Sequence, residues 1–592
     1  MFNQSLSLMG HYLRPHLWRV LTLFLLLLGS IGLQLAAPQV IRHFLDLAQS
    51  GAALSLLLRA ALLFLAITIS QKILSLFSVY AGVDLGWATT NQLRSDLTSH
   101  VLRLDMGFHK LHPPGELIER IDGDVSNLAD YFSDLVVNLL GNALLVLGVL
   151  LLLLREDWRA GLIGLLYAGA ILGLLRALQA PVVTIWSDIS RSFAGLYSFI
   201  EERLSGTEDI RANGGEAYAM ARLLERLNQV RRLRVRGEML GSITFSASFF
   251  LYTLALVATL ALGAGSHLSG QMSIGTVVLL VLYMQNLESP LNTIRRQVAS
   301  LQQGLASIGR LAELRQVQPT VQEPPTPAGL PPTAPAVQFQ GVTFAYKDQP
   351  PANGRSAPPT VLHDLTFTLA PGRVLGILGR TGSGKTTLTR LLFRLYDVDQ
   401  GHIRLDGVDI RQARLSDLRR HVGMVTQEVQ LFAASLRDNL TLFQNYGRQP
   451  IPDQQMQQTL TQLGLGSWLQ ELPHGLDTQL TAGGQGLSAG QAQLLAFARV
   501  YLRNPRLVVL DEASSRLDPA TEQLLEQAID RLLVGRTAII IAHRLGTVQR
   551  ADDILILDNG RIVEFGERLA LASNPQSRFY QLLQTGMEAM LA

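Results

Sequence analysis

Six runs of apolar residues, each long enough to cross a lipid bilayer as a helix, fill the first half of this chain and dictate what it can become. A bilayer core takes about 20 apolar residues of helix. Val20–Pro38, Leu135–Leu154, Met239–Ala264 and Leu268–Leu287 contain no charged residue. Ala60–Gly82 is interrupted by Lys72, and Ala160–Ala180 carries Arg176 near its end. Runs of this length without a polar face have no use in a soluble core. The lipid bilayer is therefore the first partner the sequence names. Only 16% of the 592 residues are charged, against roughly 25% in ordinary soluble domains. A net charge of +3 on a chain of this size gives no electrostatic footprint for nucleic acid. The absence of cysteine excludes disulfides, thiolate metal sites and thiol catalysis. The first run is long for a signal-peptide core, and no small-residue cleavage site followed by a soluble domain is evident.

Arginine and lysine in the loops set the orientation. Residues 81–130 hold four (Arg94, Arg103, Lys110, Arg120) and residues 181–238 hold nine, whereas 41–56, 155–159 and 264–272 hold one, two and none. Both long loops and both chain ends are thus expected in the cytoplasm. The loops are too polar for lipid yet favour helix, so they read as membrane helices continued into water. Pro and Gly at "MGFHKLHPPGEL" and "IRANGGEAY" mark their tips.

Residues 316–335 contain seven of the chain's 24 prolines and cannot continue a helix. This break divides the chain into a transmembrane domain over 1–315, a Pro-rich linker over 316–336 and a soluble α/β domain over 337–592. The last begins with "VQFQGVTFAY", which alternates like a strand, and a second β-rich run, "GRVLGILG", leads directly into "GRTGSGKTT". That spacing is a phosphate-binding loop. Gly379, Gly382 and Gly384, with Arg380, Thr381 and Ser383 between them, leave room for backbone N–H groups to wrap a phosphate chain. Lys385 is placed to reach the terminal phosphates, Thr386 to bind magnesium, and the helix that starts here, with Thr387 in its first turn, offers its positive end. Only four of the 50 basic residues are lysines (Lys72, Lys110, Lys347, Lys385), so a lysine at the motif's required position carries weight.

Two further strands end in chemistry. "RLVVLDEASS" is an apolar run closing on Asp511 and Glu512, and the C-terminal edge of such a strand is where an α/β sheet places its ligand. Asp511 is suited to hold magnesium and Glu512 to polarise an attacking water. "TAIIIAHRLG" repeats the design, with His543 positioned to meet a γ-phosphate.

With these motifs on the page, the chain resembles an ATP-binding cassette (ABC) exporter half-transporter of the multidrug or lipid type over nearly its whole length. The implied fold is an α-helical six-span transmembrane domain with long cytoplasmic helical extensions, followed by an α/β P-loop nucleotide-binding domain. The implied activity is ATP hydrolysis, with ATP and Mg²⁺ as ligands, driving export of hydrophobic or amphiphilic molecules such as lipids or peptides. Tyr346 resembles the aromatic that stacks on adenine. Gln427 resembles the residue that links magnesium to the membrane domain, and Asp518 belongs to the loop that communicates across the dimer. Leu487, Ser488, Ala489, Gly490 and Gln491 resemble the signature that closes over ATP held by a second half-transporter. "FHKLHPPGELIERIDGDV" resembles the first cytoplasmic loop, which docks on the nucleotide-binding domain. A Pro-rich insert over 347–360 reads as a lengthened surface loop. The alternative from another class is an ATP-gated channel or regulatory membrane subunit; a hydrolytic carboxylate at Glu512 favours the pump.

The signature departs from the family pattern at Ala489, where glycine is usual, and at Gln485, where a glutamate is usual. A backbone needing positive φ, or touching phosphate, would make Ala489 cost about 1 kcal/mol or more. An ordinary early-helix position would make it harmless or better. Groups serving the chain's own ATP are intact while the departures lie where a partner's ATP is served, which points to one half of a heterodimer, with a homodimer as the alternative. In the membrane half, Lys72 and Arg176 are candidates to line a substrate cavity favouring anionic or amphiphilic molecules; Lys72 snorkelling to the interface is the other use. A bacterial inner membrane, with both termini cytoplasmic, is the expected location.

Overall fold

The computed structural model describes residue 10 and residues 12–133, 138–347, 358–426, 429–443, 450–484, 486–511, 519–542 and 548–585. Among these the chain forms two compact units, Met1–Leu102 with Gly115–Val317, and Arg103–Pro114 with Gln318–Ala592.

The first unit is helical. Its long helices are α1 (Leu17–Gln49), α2 (Leu54–Arg103), α4 (Gly141–Glu156), α5 (Trp158–Ser205), α6 (Glu216–Leu268) and α7 (Ile274–Gln316), with the short α3 (Met106–Leu111) between α2 and α4 assigned to the second unit. Among the described residues six helices are long and apolar enough to cross a membrane. Four of them run far beyond the need of a bilayer. α2 has 50 residues and α6 has 53, about 75–80 Å at 1.5 Å per residue. The expected sixth span started at Leu268, but α6 ends there and α7 begins at Ile274. Gly270, at φ +74°, makes the turn, and the Ser273 side chain accepts a hydrogen bond from Thr276 N to cap α7. At the opposite tip, Gly214 at φ +65° separates a helix ending at Ala212 from α6.

Large apolar side chains cover the outside of α2, among them Leu62, Leu63, Ile69 and Leu76, as a lipid-facing helix requires. The inner faces of α4, α5, α6 and α7 pack through Leu145, Val149, Ile171, Tyr252, Leu279, Tyr283 and Leu287. The Tyr283 hydroxyl donates to Leu35 O at 3.1 Å, and Arg42 pairs with Glu156 at 2.7 Å, tying α1 to α4 and α7. At the other end Asp124, 2% exposed, accepts from Ser307 Oγ at 2.8 Å and Arg310 Nε at 2.9 Å.

The second unit holds two sheets. One is antiparallel, in the order β2 (Thr360–Leu369), β1 (Val337–Ala345), β4 (Gln400–Leu405), β5 (Val408–Asp409). The other runs β10 (Arg561–Glu567), β9 (Asp553–Asp558), β3 (Val374–Leu378), β8 (Thr537–Ile541), β7 (Leu507–Asp511), β6 (Val422–Val425). All neighbours in it are parallel except the β9–β10 hairpin at one edge. β3 and β8 are buried at every position, the pattern of central parallel strands covered on both faces. Residues 317–336 contain no helix and lie along this unit. Asp105 accepts from Thr320 N at 2.6 Å, Arg394 donates to Gln322 O at 2.8 Å, and Thr537 Oγ1 donates to Pro335 O at 2.8 Å.

Candidate functional site

Sheet register assembles the site. Ile377 of β3 pairs with Ile541 of β8, and Ile541 pairs with Asp511 of β7. Three central strands therefore end level, with Gly379 after β3, Asp511 at the end of β7 and Ala542 after β8 at the same edge.

After β3 the chain turns through Gly379 (φ +153°), Gly382 (φ +83°) and Gly384 (φ +105°) into α8 (Lys385–Leu392). A Cβ on Gly379 would fall 2.3 Å from Leu557 O and 2.6 Å from Ser383 Oγ; on Gly384 it would meet Leu362 at 2.5 Å. The loop thus takes its path only because no side chain obstructs it. Lys385 is 6% exposed, and its Nζ donates to the loop's own carbonyls, Gly379 O at 2.6 Å and Arg380 O at 3.0 Å. The ammonium is held inside the curl of the loop. Ser383 Oγ is buried there without a hydrogen-bond partner among the described residues. A buried orphan hydroxyl is costly unless something completes it, and a phosphate oxygen has the chemistry to do so. Arg380, Thr381 and Thr386 are exposed, as groups meant to meet a ligand should be.

Tyr346 follows β1. Its hydroxyl lies 3.0 Å from Thr387 Oγ1 and accepts from Arg390 Nη1 at 3.3 Å, so it is fastened to α8. Arg390 was missed from sequence, because nothing in its spacing ties it to residue 346.

The signature opens α9 (Ala489–Arg503). Ser488 is the N-cap: its Oγ accepts from Gln491 N at 3.1 Å while Gln491 Oε1 accepts from Ser488 N at 2.9 Å, a reciprocal capping box. Accepting at Oγ leaves the hydroxyl proton to donate outward. Leu487 is half-buried against the unit's core. Ala489 is the first helical residue, is exposed and is not among the residues of positive φ, so the backbone-strain branch of the sequence expectation does not apply. Gly490 is the position that admits no side chain, since a Cβ would sit 2.1 Å from Thr521 Cγ2. Behind it, Arg499 donates to Asn439 O at 2.7 Å and Gln430 O at 2.9 Å, and burial brings its pKa down to about 10. This arginine, also missed from sequence, ties the signature helix to the segment after β6.

Asp511 is half-buried at the end of β7. Glu512, His543, Gln427, Asp518 and Gln485 lie outside the described residues, as does most of the insert. In the membrane unit Lys72, on α2, and Arg176, on α5, are both exposed.

Comparison with known proteins bears on the same edge and the same helices. Residues 20–291 match the ABC transporter transmembrane region, and residues 362–515 match the ABC transporter family. The chain is 30% identical over 555 residues to YfiC of Bacillus subtilis (strain 168), named as an ABC transporter ATP-binding protein, covering 94% of this chain and 90% of that one. It is 31% identical over 498 residues to a fatty acid ABC transporter ATP-binding/permease protein of Mycobacterium bovis, covering 83% of this chain and 76% of that one. A lipid A-core flippase of Thiobacillus denitrificans is 29% identical over 583 residues, covering 96% of each chain. Among solved structures, a bacterial Atm1-family ABC exporter with ATP bound superposes with a TM-score of 0.80 at 25% identity, covering 97% of this chain and 98% of that one. The chain belongs to the ABC transporters. It is a half-transporter of the exporter type, a multi-pass membrane protein whose ATPase domain drives transport, and half-transporters of this kind work as dimers.

Proposed function

We propose that this chain exports amphiphilic, lipid-like molecules across a bacterial inner membrane, using two ATP sites shared between the halves of a dimer. The observation that carries the reading is the glycine-built loop Gly379–Gly384, curled around Lys385 and the orphan Ser383 hydroxyl at the C-terminal edge of the sheet. Tyr346 stacks on the adenine. Backbone N–H groups from Gly379 to Thr387 wrap the phosphates, and Lys385 exchanges the neutral carbonyl acceptors of Gly379 and Arg380 for anionic phosphate oxygens. Thr386, Gln427 and Asp511 would hold Mg²⁺, which when bound would supply charge to offset that of the phosphates. Glu512 takes the proton of the attacking water and His543 meets the γ-phosphate. Ser488 and Gly490 N–H of the other half close the remaining face, with Leu487, Ala489 and Gln491 framing them and Asp518 carrying the signal across. ATP shifts the transporter only through its higher affinity for the closed dimer.

The excess of basic residues in the two long loops supports cytoplasmic termini, and the fatty acid and lipid A-core relatives support a lipid-like substrate. Lys72 and Arg176 are the candidate cavity cations for its anionic end. We take the second half to be another copy of this chain. The case for a heterodimer leaned on Ala489 and Gln485; Gln485 lies outside the described residues, and Ala489 stands at an exposed helical position of ordinary backbone, so it supplies no strain in favour of a heterodimer. The test is to purify the chain expressed alone and mix Lys385→Ala with Gly490→Ala subunits. A homodimer regains one intact composite site, so the mixture hydrolyses ATP where neither variant does. A mixture as inactive as its components leaves the heterodimer.

A further inference from the structure

Tyr346 is only 6% exposed. Two rings meet it edgewise, Phe344 at 4.9 Å between centroids and Tyr396 at 5.2 Å, with interplanar angles of 83° and 87°. Thr387 and Arg390 hold its hydroxyl. Over its face lies the ammonium of Lys110, 4.9 Å from the ring centroid. Lys110 is carried by α3, inside the segment Arg103–Pro114 that belongs to the nucleotide-binding unit while being continuous in the chain with α2. The near end of that segment is pinned to the same unit by Asp105, whose carboxylate accepts from Thr320 Oγ1 at 2.6 Å and Val321 N at 3.3 Å.

We propose that Lys110 and the adenine base compete for the face of Tyr346, so that nucleotide binding releases the far end of the first cytoplasmic loop from the ATP site. The inference rests on the reading of Tyr346 as the adenine platform. A purine can stack only on an open ring face, and a ring that is 6% exposed offers none until something moves. Phe344 is fixed in β1 and Tyr396 packs within the same aromatic cluster. Lys110 is exposed and carried on a four-carbon flexible stem, so a change of its side-chain rotamers can take it off the ring without moving the strand. A cation over a tyrosine gains through the ring quadrupole, and the base replaces that gain with stacking. Competition at one ring makes the coupling reciprocal. Whatever draws residues 103–114 off the nucleotide-binding unit raises its affinity for ATP, and ATP in turn frees the loop.

The sign of the effect separates this from plain electrostatics. Removing a cation near a polyanionic ligand should weaken its binding; removing a competitor should tighten it. The experiment measures affinity of the full-length chain in lipid nanodiscs, on a Glu512→Gln background, for Mg·ATP and for Mg·tripolyphosphate, which has no base. An exposed cation–π contact corresponds to about a two- to fivefold change in affinity. Lys110→Ala is expected to tighten Mg·ATP by about that factor and leave Mg·tripolyphosphate where it was, and Lys110→Arg is expected to bind ATP no tighter than the parent. Unchanged or weaker ATP binding in Lys110→Ala overturns the proposal, as does an equal change for both ligands. Tyr346→Ala serves as the separate check. If it leaves the preference for ATP over tripolyphosphate intact, the platform reading itself fails; if it removes that preference while Lys110→Ala does not tighten ATP, only the competition fails.

Discussion

At Gly490 a Cβ would lie 2.1 Å from Thr521, whereas the methyl of Ala489, one residue earlier, stands exposed at the start of α9. The two substitutions therefore have opposite outcomes. Gly490→Ala must push α9 away from the residue beneath it, and ATPase activity is expected to fall at least tenfold, partly restored by adding Thr521→Ala. Ala489→Gly only loosens a helix start, costing about 0.5–1 kcal/mol, and turnover should change less than twofold; steady-state ATPase and a melting curve check both. Lys385→Ala removes charge-assisted bonds to phosphate, and equilibrium binding should show a loss of roughly ten- to a hundredfold in Mg·ATP affinity. The sequence made the glycines and Lys385 legible because a phosphate loop is a local motif whose spacing is its geometry. It did not reveal Thr521 under Gly490, or Lys110 over Tyr346, since those pairs meet only through the tertiary fold.

The membrane helices were legible from apolar length alone, because lipid demands the same residue types all around a helix and leaves no period to misread. Their ends were less so. The run from Leu268 onward carries no charge and reads as part of a span, yet Gly270 and the Ser273 cap break it, and the sixth helix starts at Ile274. Such turns are set by single residues within an apolar stretch, which hydropathy averages away. The same scale governs α9. Its reciprocal cap predicts that Ser488→Ala destabilises the nucleotide-binding unit by about 1 kcal/mol in addition to any loss of catalysis, which thermal unfolding and ATPase together resolve. Arg499→Met strands the carbonyls of Asn439 and Gln430 and should cost about 1–3 kcal/mol, with ATP binding at the phosphate loop retained in the folded fraction.

Across the whole molecule, the chain forms a six-helix membrane unit and a nucleotide-binding unit, with residues 103–114 assigned to the second and an extended linker fastened to it at Thr320, Gln322 and Pro335. The proposed role of Lys72 and Arg176 as cavity cations predicts that replacing both with alanine lowers the stimulation of ATPase by anionic amphiphiles while basal hydrolysis persists; an unchanged response removes them from the substrate path. The central claim is that this chain hydrolyses ATP in a self-assembled dimer with Glu512 as the base. The most direct measurement is the mass and ATPase rate of the chain expressed alone in nanodiscs, alongside Glu512→Gln. The account predicts a dimer that turns over ATP, and a variant dimer that binds ATP without splitting it. A monomer, or a variant as fast as the parent, would contradict it.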